Sequence, residues 1–197
     1  MNTQSESTKK QLTNSESISR LEKLITVSPK NGSALNIALI YEDAQTREWA
    51  REVYERVAKL AGKQDVRPTW WNLDNLGDPS VLAAAVSTTM RADVIVLAAR
   101  AGQGMPLAFY AWINAWLPNR FYNGGVLAAL LGKTARSSAR PERVGEYLRE
   151  VARQGRMNFL LETRRLQPEA NGANGRAQAI PANGSACANR TLASIRF

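Results

Sequence analysis

The most constraining feature of the sequence is a regular alternation of short apolar runs and longer helical segments between residues 35 and 163. The runs are rich in Val, Ile, Leu and Ala, a composition typical of strands that are buried on both faces. The predicted strands lie at residues 35–41, 66–73, 93–98, 125–131 and 157–161. The predicted helices lie at residues 44–60, 79–90, 106–117 and from 141 onward, the last three opening on a proline. Proline is favoured in the first turn of a helix.

Strands that alternate with helices pair in parallel, because each helix returns the chain to the same end of the sheet. The sequence therefore predicts an α/β domain, a three-layer αβα sandwich built on a five-stranded parallel sheet. A unit of this size usually takes the strand order 2-1-3-4-5, and Pro68 favours an edge position for the second strand. Ligands of such sheets bind beyond the carboxyl ends of the first and third strands, so the loops of interest are 41–45, 98–106 and 132–136.

The predicted domain, residues 35–163, is flanked by two segments of different composition. Residues 1–34 are rich in Ser, Thr, Asn and Lys, and we predict a flexible polar tail there. Residues 164–197 are predicted to be a low-complexity tail, because a stretch dominated by Ala, Asn and Gly buries too little apolar surface to offset the entropy of ordering. The first twenty residues lack the apolar core of a signal peptide, and no run is long enough to span a bilayer. We therefore expect a cytoplasmic protein without membrane contact.

The complete absence of histidine excludes more chemistry than any other number in the composition. It removes the usual zinc sites, every Ser-His or Cys-His mechanism and an imidazole base that works near neutral pH. A single cysteine, Cys187, excludes an internal disulfide framework. These absences argue against most classes of hydrolase.

The formal net charge of +9 comes mainly from the end of the chain. Residues 134–197 carry 11 basic and 5 acidic side chains, whereas residues 35–133 carry 10 and 9. Arginines of this kind suit phosphate groups, but they also suit a solvated helix face on which Glu142, Glu146 and Glu150 supply partners at i,i+3 and i,i+4. No aromatic residues interleave with the arginines as a single-strand groove requires, so nucleic acid is not an expected partner.

One motif spans residues 92–117: an Ala-Asp pair, a strand, a glycine-containing loop, and a Pro-opened helix that ends in Ile-x-x-Trp-Leu. It resembles the flavodoxin-like NAD(P)H-dependent flavin and quinone reductases. The matching residues are Ala92, Asp93, Gly104, Pro106, Ile113, Trp116 and Leu117. The resemblance implies a flavodoxin-like fold, with FMN held by its phosphate on the loop after the first strand.

Both loops that hold FMN in that family are altered in this sequence. Where the family places Ser, Thr and Gly around the phosphate, this chain has Glu42 and Asp43, whose negative charges repel a phosphate. Where the family places an aromatic residue on the flavin ring, this chain has Arg100, Ala101 and Gly102. We therefore predict that no cofactor is bound, and keep FMN as the alternative.

The same winding also resembles the receiver domain of response regulators, in which an acidic pair after the first strand holds Mg²⁺. Glu42 and Asp43 match that pair. A receiver further needs an aspartate at the end of the third strand, and that position falls on Ala98 or Ala99, neither of which is a nucleophile. A receiver that is phosphorylated is therefore excluded.

Six residues are candidates for contact with a ligand if one binds: Glu42, Asp43, Arg100, Gly102, Gly104 and Lys133. For the acidic pair the alternatives are helix capping, with Asp43 as N-cap, and a metal or proton site. For Arg100 they are an anion clamp and an ion pair with Glu42 or Asp43. We predict no catalytic residue and no metal ligand.

Five aromatic residues crowd the third helix and the loop after it: Phe109, Trp112, Trp116, Phe121 and Tyr122. One helix face buries only part of such a set, so these residues mark either a partner surface or a large core. We predict a non-catalytic flavodoxin-like or receiver-like module that acts through protein–protein contact, with a homodimer through these residues. The alternative function is a flavin- or quinone-dependent NAD(P)H oxidoreductase.

Overall fold

The structure is a computed structural model that describes residues 34–61, 66–100, 104–120, 124–133 and 141–167. The strands are β1 (Leu35–Tyr41), β2 (Val66–Asn72), β3 (Val94–Arg100), β4 (Val126–Lys133) and β5 (Asn158–Arg165). The helices are α1 (Ala44–Ala61), α2 (Pro79–Arg91), α3 (Leu107–Trp116) and α4 (Pro141–Gln154). All nine predicted elements are present, and the differences are confined to their ends.

The five strands form one parallel sheet in the order β2-β1-β3-β4-β5. This is the predicted order, and it is the flavodoxin-like winding. In this winding the order of the strands reverses direction between β1 and β3. β2 lies at an edge of the sheet. The missing N–H of Pro68 therefore does not interrupt the hydrogen bonds between two central strands. Tyr41 lies opposite Ala98 in the register of β1 and β3. The ends of these two strands therefore open onto a common crevice.

Helices cover both faces of the sheet, which gives the three predicted layers. The first face packs Ile37, Val96 and Leu130 under Trp49 and Val53 of α1. The second face packs its side chains under α2, α3 and α4. β3 is buried along its length up to Ala99, as expected for a parallel strand at the centre of the sheet. Among the described residues, no helix is both long and apolar enough to cross a membrane.

The aromatic residues of α3 face the core, which corrects the predicted partner surface. Phe109, Trp112 and Trp116 have relative exposures of 0%, 1% and 0%. With Ile113 they follow the i, i+3, i+4, i+7 spacing that places side chains on one side of a helix, and that side lies on the sheet. These three side chains are therefore unavailable to a partner of the folded domain. Phe121 and Tyr122 lie outside the described residues.

The last strand extends beyond the predicted end of the domain at residue 163. β5 continues to Arg165 because β4 is longer than predicted and supplies pairing up to Lys133. Leu166 is buried, and it packs so tightly that a Cβ atom on Gly132 would lie 2.2 Å from its side chain. The N-terminal tail up to residue 33 and the chain after residue 167 lie outside the described residues.

Arg120 is a buried cation that the sequence pattern did not predict. Its guanidinium donates hydrogen bonds to the carbonyl oxygens of Thr89 at 2.6 Å and Ala92 at 2.5 Å. These carbonyls lie at the end of α2, where a helix has unsatisfied acceptors and a partial negative charge. The guanidinium also lies 5.8 Å from the ring centre of Trp116. Arg120 thus connects the end of α2 to the end of α3.

We expect Arg120→Met to lower the free energy of unfolding by about 2–4 kcal/mol, because it removes the charged donor of two buried carbonyl oxygens, of which that of Thr89 keeps only the N–H of Ala92. Urea unfolding followed by circular dichroism measures the loss. The matched control is Arg153→Met, which removes an exposed arginine paired with Glu150 on its own helix and is expected to leave the free energy of unfolding nearly unchanged. Equal losses for the two variants would contradict this role of Arg120.

Candidate functional site

The candidate site lies at the carboxyl edge of the sheet, where β1 and β3 end side by side. Glu42 and Asp43 connect β1 to α1, and Arg100 is the last residue of β3. Arg100 was predicted to lie in a loop, but the pairing of β3 with β4 continues to Gly132 and keeps it in the sheet. The fold therefore brings together three of the six predicted residues.

The guanidinium of Arg100 forms an ion pair with the carboxylate of Asp43. Both side chains are largely buried, with relative exposures of 11% and 17%. The guanidinium also donates to Gln45 Oε1 at 3.1 Å and to the carbonyl oxygen of Gln167 at 3.0 Å. Of the two predictions for Arg100, the ion pair across the strand ends is confirmed, and it connects β3, the start of α1 and the chain after β5.

Asp43 and Thr46 cap the first turn of α1 reciprocally. Asp43 Oδ1 accepts a hydrogen bond from the backbone N–H of Thr46 at 2.7 Å. Thr46 Oγ1 in turn accepts from the backbone N–H of Asp43 at 2.8 Å and from that of Glu42 at 3.1 Å. This arrangement is a capping box, and it confirms the prediction that Asp43 is the N-cap.

Glu42 points across the strand ends toward β3. Its carboxylate accepts a hydrogen bond from the backbone N–H of Arg100, and its own N–H also lies 3.2 Å from the carbonyl oxygen of Ala98. Glu42 thus extends the pairing of β1 with β3 by one side-chain hydrogen bond. The charge of Arg100 lies beside it and beside Asp43, which lets two carboxylates share a partly buried edge.

The two carboxyl groups differ in the direction of their pKa shifts. Burial raises the pKa of Glu42, the hydrogen bond from the Arg100 N–H opposes the rise, and the negative charge of Asp43 adds to it. Burial alone would raise the pKa of Asp43 as well, but hydrogen bonds from Thr46 and Arg100 outweigh it and lower that pKa. Glu42 is therefore the group that takes up a proton first as the pH falls.

These residues do not fit the phosphate of FMN. A phosphate at this loop would need the backbone N–H groups at the start of α1. The N–H groups of Glu42, Asp43 and Thr46 are already bonded within the protein. Two carboxylates line the same loop, and the nearest cation, Arg100, is paired with one of them. Three backbone donors of the loop are thus already used, and its two carboxylates repel an anion.

The other three predicted residues do not join this cluster. Gly104 is exposed and has a φ of +84°, a conformation that favours glycine. Lys133 ends β4 with its side chain exposed, and no contact between it and the two acidic residues occurs in the described part of the chain. Gly102 lies outside the described residues. Within 34–61, 66–100, 104–120, 124–133 and 141–167, no three His, Cys, Asp or Glu side chains converge as a metal site requires.

Several arginines of the last third of the chain are engaged in contacts within the domain. Arg153 pairs with Glu150 on α4, as the helix-face alternative predicted. Arg164 bonds Glu52 of α1 at 2.9 Å and lies over the ring of Trp49 at 4.9 Å. These contacts hold the side chains of Arg153 and Arg164 against the domain. They favour a structural role for these two arginines.

Two polar residues of the cluster, Thr46 and Gln45, were not among the predicted site residues. Thr46 follows Asp43 by three residues, which is the spacing of a capping box, although the usual signal has Glu or Gln at that position. Gln45 had no such signal, because its partner Arg100 is 55 residues away in the sequence. Only the pairing of β1 with β3 brings those two side chains together.

No known protein family and no curated protein matches the sequence of this chain. The flavodoxin of Streptococcus pneumonia TIGR4 aligns at 14% identity over 68% of this chain and 87% of its own, with a TM-score of 0.49. The Flv1 flavodiiron core of Synechocystis sp. PCC6803 aligns at 18% identity over 70% of this chain but only 32% of its own, with a TM-score of 0.46. The azoreductase of Bacillus anthracis str. Sterne aligns at 13% identity over 66% and 86%, with a TM-score of 0.40. At these identities and TM-scores the alignments carry no functional argument, and the fold assignment rests on the observed strand order.

We expect the stability of the wild type to depend on the protonation of Glu42. The pKa of Glu42 is higher in the folded than in the unfolded protein. The stability that its protonation adds is therefore fully present below the unfolded pKa of about 4.3, and it is lost as the pH rises through the folded pKa. In Glu42→Gln the side-chain oxygen can still accept from the Arg100 N–H, and the titration is gone. The stability of this variant relative to wild type therefore increases with pH in urea unfolding measured from acid to neutral pH.

Asp43→Asn is expected to show the opposite pH dependence. The folded pKa of Asp43 is lowered, so its contribution is present above the unfolded pKa of about 3.9 and is lost as the pH falls through the folded pKa. The variant loses about 1–2 kcal/mol at pH 7 through weaker bonds to Arg100 and Thr46. Parallel pH profiles for the two variants would contradict the assignment of opposite shifts.

Proposed function

We propose that this chain is a non-catalytic flavodoxin-like module that acts through protein–protein contact. The observation that carries the proposal is the closed crevice at the ends of β1 and β3. There Arg100 is paired with Asp43, the N–H groups of Glu42 and Asp43 are bonded to Thr46 Oγ1, and the N–H group of Thr46 is bonded to Asp43 Oδ1. A parallel sheet of this winding holds its ligands at this edge, and here the edge is occupied by the protein's own polar groups.

The alternative, a flavin- or quinone-dependent NAD(P)H oxidoreductase, has only the fold in its favour. One fold hosts many chemistries, so function has to be argued from the residues of the site. In the described part of the chain, the carboxyl edge supplies carboxylates where the flavin phosphate would lie. The protein-contact hypothesis is further supported by the outer sides of α2 and α3, which carry no charged side chain from residue 79 to 90 or from 107 to 119.

The test is an absorbance spectrum of the freshly purified full chain, followed by titration with FMN. We expect no flavin band, and no saturation below about 10 µM FMN, which corresponds to roughly 7 kcal/mol of binding free energy. Quenching of FMN fluorescence reports the binding, and a flavodoxin serves as positive control. A yellow protein, or saturation in the low micromolar range, would overturn the proposal.

Charge exclusion at the loop can be tested separately with the double variant Glu42→Ser, Asp43→Ser. Removing a like charge near a phosphate is worth about 1–4 kcal/mol, depending on the local dielectric constant. We therefore expect FMN affinity to rise by at least about tenfold over wild type, provided that circular dichroism shows the fold retained. Glu48→Ser, Glu55→Ser, which removes two exposed charges from the middle of α1, is the matched control and should leave the affinity unchanged.

A further inference from the structure

The outer sides of α2 and α3 form a continuous surface without charge. The two helices are neighbours, joined by a buried hydrogen bond of 3.3 Å from Trp112 Nε1 to Thr89 Oγ1. Their exposed positions carry small or apolar residues and a few neutral polar ones. These positions are Ser80, Ala83, Ala84, Ser87, Leu107, Ala111, Asn114 and Ala115. We refer to this set as the neutral face.

The neutral face contrasts with the other two helices. α1 exposes Arg47, Glu48, Arg51 and Glu55, and α4 exposes six charged side chains in fourteen residues. A helix that is apolar all round is typical of one that is buried, and α2 and α3 come closer to this composition than α1 and α4 do. Leu107 is 84% exposed, the most exposed large apolar residue of the described chain.

We propose that the neutral face is the contact between two copies of this chain related by a two-fold axis. The proposal rests on the proposed function and names the partner for it. A chain with a net charge of +9 repels its copy wherever its positive charge accumulates. The neutral face avoids that repulsion, and charged residues are depleted at the centre of protein interfaces in general.

The ends of α2 make this face complementary to itself. Asp78, the N-cap, lies exposed at one end, and Arg91 lies exposed at the other. A two-fold axis that lies in the contact plane and crosses the middle of α2 at a right angle places the two α2 helices antiparallel, so that Asp78 of one copy lies near Arg91 of the other. Opposite charges then flank an uncharged centre at both edges of the contact.

The size of the face suits a modest dimer. At 1.5 Å per residue α2 is about 20 Å long, and two adjacent helices lie about 8–10 Å apart. A face of about 20 Å by 20 Å covers about 400 Å² on each copy, or about 800 Å² for the pair, which is the size of a weak or transient contact. We therefore expect dissociation in the micromolar range.

The test is the mass of the full chain by light scattering during gel filtration, from about 5 to 100 µM, a range that brackets micromolar affinity. Wild type is expected to be a dimer at the upper end. Leu107→Asp is expected to be a monomer throughout, with affinity reduced at least about tenfold, because a buried charge has no partner there. Aspartate is favoured in the first turn of a helix, so the fold of α3 is retained.

The matched control is Leu60→Lys. Leu60, at 51% exposure, is the other large apolar residue exposed in the described chain, and it lies at the end of α1, where a cation is favoured. This variant is expected to remain a dimer. Arg91→Glu places like charges opposite each other at both edges, and is expected to weaken the dimer about tenfold.

A wild type that stays monomeric at the upper concentration overturns the inference. The inference is also overturned if the Leu60→Lys variant is a monomer while the Leu107→Asp variant is still a dimer. The absorbance spectrum of the same samples separates this result from the proposed function. A colourless monomer overturns the dimer alone. A yellow dimer that depends on Leu107 supports the contact while overturning the non-catalytic role.

Discussion

The charges at the ends of β1 and β3 remain in a largely buried position because they compensate one another. Arg100 pairs with Asp43, and its backbone N–H bonds Glu42. Removing any one of them from water without a partner would be costly. The same contacts hold the β1–α1 loop against β3, so the geometry of the crevice depends on them. A ligand phosphate that took the N–H groups of Glu42, Asp43 or Thr46 would have to break bonds that the fold itself uses.

The helices differ in the charge of their outer sides. α1 and α4 carry the charged residues, many of them paired at i,i+3 or i,i+4 as in Arg51 with Glu48 and Glu55. α2, up to Met90, and α3 carry no charged side chain. The charged outer sides of α1 and α4 favour contact with water, whereas the outer sides of α2 and α3 are those for which a contact between two copies is proposed.

Periodicity was sufficient to predict the nine elements, because a parallel sheet imposes apolar runs on every buried strand. The strand order came from the usual winding of a five-strand unit. It was insufficient for the ends of strands. β3 reaches Arg100, and β5 reaches Arg165, because a paired neighbour extends each of them. The burial of Phe109, Trp112 and Trp116 was open in the sequence, since composition does not say which side of a helix meets the sheet. Arg120 was missed because its acceptors are backbone carbonyls, which leave no mark in a sequence.

The sequence by itself determined the α/β class, the parallel sheet, the absence of imidazole chemistry and the acidic character of the loop after β1. These follow from local properties: hydrophobic spacing, composition and residue type. Tertiary structure alone decided that Arg100 meets Asp43, 57 residues away, and that the aromatic side of α3 lies inward. The physical reason is that an ion pair and a buried helix face depend on which strands become neighbours. That choice is made by the packing of the whole sheet.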